Sequence, residues 1–161
     1  HRDLHSFPTR RSSIWSATLK TSLKSLKNGK ALETARNYKV QVRAYRIVKG
    51  KKQYLTASPA IHLTNAQNKT YTNAKKVTAS PNAVTFKAGA SKTVKAKVTK
   101  VSSKKKLLPA KHVKSVRYYT TDSAVAKVSS SGKITAKKKG SCKVYAVAAN
   151  GQKAIVKVTV K

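Results

Sequence analysis

Among groups suited to proton transfer, nucleophilic attack or metal ligation, this 161-residue chain holds three side-chain carboxylates (Asp3, Glu33 and Asp122), four histidines and one cysteine, Cys142. Acid–base work by paired carboxylates needs two such groups within several ångströms. Asp3 sits in an atypical leader, and Glu33 and Asp122 fall in different halves of the chain, so that pattern is not expected. Cys142 could attack as a thiolate beside a histidine, with surrounding lysines lowering its pKa. It shares strand parity with Val144 and Ala146, however, which places it on a core face as a small buried hydrophobe. His62 and His112 are too far apart in sequence to suggest a metal pair, and hard cations would find too few oxygen ligands. A single cysteine leaves no internal disulfide, multi-cysteine zinc cluster or CxxC pair, and no glycine-rich phosphate loop is present. No catalytic residue, metal or cofactor is therefore expected.

Charge is the extreme feature: 37 Lys+Arg against 3 Asp+Glu give a formal net charge of +34. Two clusters are candidates for anion binding. One comprises Lys104, Lys105, Lys106, Lys111, Lys114 and Arg117; the other is Lys137, Lys138 and Lys139. At one end of a domain they would form a patch able to grip anionic cell-wall polymers, polysaccharide or nucleic acid. Against this, lysine is the outward residue throughout, as at Lys95, Lys97, Lys143 and Lys157, and a solvated like-charged surface explains the same text. Nucleic-acid binding also wants aromatic stacking platforms, and of the adjacent Tyr118 and Tyr119 only one can point outward.

The elements that must position these groups read as strands. Tyr38, Val40, Val42 and Ala44 alternate with polar or outward residues, predicting a strand with one buried face; a turn at Lys49-Gly50-Lys51-Lys52 leads into an extended run over Tyr54–Thr64, and the pair makes a hairpin. Trp15–Lys30 reads as a helix or as one strand ending at Asn28-Gly29, the strand being preferred. Asn65–Asn73 is polar and turn-rich; its Asn68-Lys69-Thr70 triplet fits a glycosylation sequon, read as chance. From Lys75 onward, seven or eight short alternating runs recur between turn signals. They argue for an all-β, antiparallel sandwich whose last two strands are joined by a type I′ turn at Asn150-Gly151. Residues 1–13, HRDLHSFPTRRSS, resemble translated read-through from a sequencing adapter; a natural basic arm is the alternative. No uninterrupted apolar run approaches the roughly 20 residues of a membrane-spanning helix.

Two resemblances are specific to residues. YKVQVRAY followed by GKKQYLTASPAIHL, with Leu32 six residues before Tyr38, is similar to the last two strands of fibronectin type III domains. That resemblance implies a tyrosine corner in which the Tyr38 hydroxyl bonds upstream backbone, and a remnant that is marginal alone because a complete domain needs about seven strands. VTASPNAVTFKAGASKTVKAKV and TTDSAVAKVSSSGKITAKKKGSCKVYAVAANGQKAIVKVTV resemble the bacterial Ig-like domain, group 2, of surface and adhesin proteins. By that resemblance Asp122 holds a turn, Gly132 sits in a hairpin and Gly140 opens the penultimate strand. Lys100–His112 departs from the family pattern, with Tyr118 or Tyr119 taking the aromatic place.

The expected organisation is a non-native leader over 1–13, a truncated fibronectin type III-like segment over 14–66, a linker over 67–73 and an Ig-like domain over 74–161. The implied function is a non-catalytic structural or adhesive module at the surface or cell wall of a Gram-positive-type bacterium, with neighbouring modules of the same kinds. A basic nucleic-acid-binding protein and an accessory module of a larger secreted enzyme are the alternatives.

Overall fold

A computed structural model describes residues 29–161. The chain divides into two compact units, His1–Leu32 and Glu33–Lys161, and the elements below belong to the second. The leader, and all but the last two residues of the strand expected over Trp15–Lys30, lie outside the described residues.

Thirteen strands and no helix are described. The first four form an interrupted hairpin: β1 (Asn37–Val40) pairs with β4 (Ile61–Thr64), and β2 (Arg43–Val48) with β3 (Lys51–Ala57), both antiparallel. The break has a local cause. Pro59 cannot donate to the ladder, and Ser58 closes the gap instead, its hydroxyl accepting from the Val42 amide at 3.1 Å and its amide donating to the Val42 carbonyl at 2.8 Å. The turn between β2 and β3 has positive φ at both Lys49 (49°) and Gly50 (72°), the backbone that matches strand twist in a two-residue hairpin. Of the predicted buried face, Tyr38 and Val40 on β1 are half-buried, whereas Val42 (67% exposed) and Ala44 are not covered, and β2 and β3 are exposed throughout. Alternation marks which side chains share a face; burial needs a second layer to cover it.

The other nine strands build a two-layer sandwich. One sheet runs in the order β6 (Ala83–Phe86), β13 (Lys153–Val160), β12 (Gly140–Ala148), β9 (Val116–Thr120). Facing it are β5 (Ala74–Ser80) with β8 (Lys95–Lys100), and β10 (Ala126–Val128), β11 (Lys133–Ala136) and β7 (Ser91–Thr93) in that order. Val94, fully buried, interrupts the run that would otherwise join β7 to β8. Its amide donates to the Gly132 carbonyl at 2.9 Å. The expected all-antiparallel pairing has one departure: β6 lies parallel to β13. Pro81 supplies the reason, because it has no N–H to continue the β5–β8 ladder, and beyond it the chain crosses to the opposite sheet.

The core follows the period of two. Val84, Phe86, Val94, Ala126, Ile134, Ala136, Cys142, Val144, Val156, Val158 and Val160 close one buried cluster between the layers, and Ala74, Val77, Ala146 and Ala148 a second beside it. On the intervening positions Lys95, Lys97, Lys143 and Lys157 are exposed.

Asn150-Gly151 does not form the expected type I′ turn. Only Gly151 has positive φ (89°); its amide donates to the Ala148 carbonyl at 3.0 Å, and the Ala148 amide to Gln152 at 2.8 Å. This is the longer turn with a glycine bulge. Asn150 keeps an ordinary backbone because its side chain is engaged elsewhere, donating to the Ala74 carbonyl at 2.9 Å.

Candidate functional site

Several groups named from the sequence hold the scaffold. Tyr38 donates its hydroxyl to the Glu33 carbonyl at 2.8 Å and accepts from the Glu33 amide, tying the strand entry to backbone five residues upstream. Glu33 in turn pairs with Arg36 Nε at 2.8 Å, both side chains being largely exposed. Asp122 accepts through Oδ1 from the Ala124 and Val125 amides at 2.8 and 3.3 Å, while its carbonyl takes the Ala126 amide at 3.1 Å. A carboxylate receiving two backbone amides starts β10 at Ala126. Asp122→Ala is therefore expected to lower stability by about 1 kcal/mol and Asp122→Asn by less, as read from urea unfolding. An equal loss in both variants would show that charge, and not acceptance, matters there. Gly132 lies against Val94 and Tyr118, and Gly140 opens β12 against Val125. Cys142 is buried on the core face, with the Thr120 hydroxyl 3.7 Å from its sulfur.

The two lysine clusters do not form one patch. Lys139 immediately precedes Gly140, at one end of β12; Val116 pairs with Ala148 at the other, so the loop carrying Lys104–Lys114 lies at the opposite end. The ends are about 26 Å apart at about 3.3 Å per residue of strand. Lys137, Lys138 and Lys139 are exposed. Interaction with the Lys127 side chain holds Lys137 below the ordinary lysine range.

Within the other cluster the residues divide by use. Lys104, Lys106, Lys111 and Lys114 reach solvent. Lys105 and Arg117 are occupied, Lys105 donating to the Ala66 carbonyl at 3.2 Å and Arg117 Nη1 to Ala60 at 2.8 Å. Both bonds fasten the hairpin segment to the sandwich. Asn73 adds a two-way bond to Thr64, and the His62 amide donates to Ala149 at 2.8 Å. The segment expected as a linker is part of this joint. Asn68 is buried, its Oδ1 accepting from the Thr70 and Tyr71 amides and its Nδ2 donating to Ala35 at 2.7 Å. A sequon whose amide is sealed in this way offers no access for a glycan.

The joint leaves a concavity of about 450 Å³ lined by Arg36, Asn37, Tyr38, Lys39, His62, Leu108 and His112. Lys39 stands directly opposite His62 in the β1–β4 register. Burial, and then the charges of Arg117, Lys39 and His112, push the His62 imidazole below the usual histidine range. Spacing gave no sign of this grouping, because docking of the Val101–Ser115 loop is what brings His112 to His62. Among the described residues no group of three or more His, Cys, Asp or Glu side chains is placed to hold a metal ion.

Residues 73–159 match the family model of the bacterial Ig-like domain (group 2), a stretch that takes in β5 to β12 and nearly all of β13. No curated protein matches the chain.

Proposed function

Since the chain belongs to the bacterial Ig-like domain (group 2) family, we propose that it serves as a non-catalytic spacer or adhesive module, held near anionic wall polymers or glycans of a Gram-positive-type cell by salt-sensitive attraction. Domains of this family are bacterial surface or adhesin-type modules, and no described helix is long and apolar enough to cross a membrane. On this reading residues 14–66 contribute the last strands of a fibronectin type III-like domain, residues 67–73 a connector and residues 74–161 the Ig-like domain. The Tyr38–Glu33 bonds support the first assignment.

Charge disposition carries the proposal. Lysines point outward from both layers of the sandwich, whereas the side-chain carboxylates among the described residues are Glu33, paired with Arg36, and Asp122, bound to backbone amides. Almost nothing local neutralises the field, so a polyanion gains by displacing its own counterions. Screening shortens the reach of such attraction to about 8 Å at physiological ionic strength. The protein should accordingly be retained on purified cell walls at low salt and released as salt rises toward 1 M. Retention that ignores salt, or none at low salt, would overturn the electrostatic reading. Tighter capture by duplex DNA than by wall polymer at matched salt would favour the nucleic-acid alternative.

A further inference from the structure

We infer that the groove between the β1–β4 segment and the Val101–Ser115 loop is an anion site that takes one phosphate group of a polyol-phosphate polymer. The inference deepens the proposed function, on which it rests for the identity of the polymer.

The groove gathers Arg36 and Lys39 from the β1 side, His62 from β4 and His112 from the loop, with Arg117 of β9 acting on His62 from the sandwich. Lys39, a fixed cation, stands directly opposite His62 and opposes its charged form. No carboxylate is among the described residues that line the groove: Glu33, the nearest in sequence, is committed to Arg36 Nε, and the Tyr38 hydroxyl is bonded to Glu33 backbone. A bound anion would supply the missing charge. Donors on both walls suit a tetrahedral phosphate, whose oxygens accept from several directions, better than a planar carboxylate. The volume admits a phosphate together with its flanking polyol, whereas Tyr38 is the one Phe, Tyr or Trp ring among the described lining residues and gives little stacking surface for a nucleic-acid base.

Protonation should follow. Burial, and then the charges of Arg117, Lys39 and His112, disfavour the charged form of the His62 ring. A phosphate among them favours that form, so binding should draw a proton onto His62 and strengthen as pH falls through the histidine range.

The test is a titration of the whole chain with glycerol 1-phosphate at fixed ionic strength, following the His62 and His112 ring resonances by NMR. Saturable shifts of both rings and an upward move of the His62 midpoint are expected. Lys39→Gln with His112→Gln should weaken binding at least about tenfold, the worth of one charge-assisted bond. Lys137→Gln, Lys138→Gln and Lys139→Gln together, at the far end, should leave it unchanged. Amide spectra report whether each variant keeps its fold. Non-saturating shifts, an equal response to acetate, or equal loss in the far-end variant would overturn the site. Tighter binding of an oligonucleotide through the same residues would overturn the choice of polymer. Wall retention without a saturable phosphate site removes the groove and leaves the wider proposal standing; a saturable site without wall retention supports the groove and removes the wider proposal.

Discussion

Gly132→Ala is expected to destabilise the sandwich by about 3 kcal/mol, seen as a fall of about 12 °C in Tm. Two effects combine. At φ 85° an L-residue is strained by about 1 kcal/mol or more. A Cβ there would also lie 2.5 Å from the Val94 carbonyl oxygen and 2.8 Å from Tyr118 Cζ. Neither neighbour can yield cheaply. The Val94 amide donates to the Gly132 carbonyl at 2.9 Å, and the Val94 carbonyl accepts the Tyr118 hydroxyl at 3.3 Å, so moving either strand breaks bonds holding β7, β9 and the β10–β11 turn together. Gly50→Ala provides the control: φ is 72°, but nothing lies within 4 Å of its Cβ. It should lose the backbone contribution alone, about 1 kcal/mol. If the two substitutions cost the same, the close approach at Gly132 has no energetic weight.

Ile134→Ala should cost about 3 to 4 kcal/mol, against less than about 1 kcal/mol for Ile155→Ala, both measured by denaturant unfolding. The residues are chemically identical and both lie on strands of the sandwich. Ile134, on β11, has no exposed surface and packs between the layers; Ile155, on β13, is 44% exposed and points away from them. Truncating the first removes transfer energy and leaves a cavity, whereas truncating the second leaves a surface that water already wets. A matching loss at both sites would mean that β13 is covered on its outer face.

That contrast also shows where sequence reasoning has its reach. Alternation alone places Cys142, Val144 and Ala146 in the interior, because successive side chains on a strand take opposite faces regardless of what lies beyond. Asp122 as a turn residue was legible for a similar reason, since its acceptors and donors lie within four residues. The same rule misled at Val42 and Ala44, which alternate as well as any core position but are exposed, Val42 at 67%. It was silent on β6 crossing to pair with β13, on Val94 dividing a strand, and on Asn150 choosing Ala74 over a type I′ turn.

The candidate site was less visible still. The lysine clusters were obvious in the text, but their separation at opposite ends of β12, and the use of Lys105 and Arg117 as fasteners, depend on strand order and loop docking. Arg36, Lys39, His62 and His112 carried no spacing signal, because cross-strand register and a long loop, not neighbouring sequence, set them around one groove. Local period and composition account for the strands of the described residues, their valine- and alanine-lined interior and an overwhelmingly cationic exterior. Which of those cations converge is set instead by contacts between residues far apart along the chain, as where Lys39 stands opposite His62.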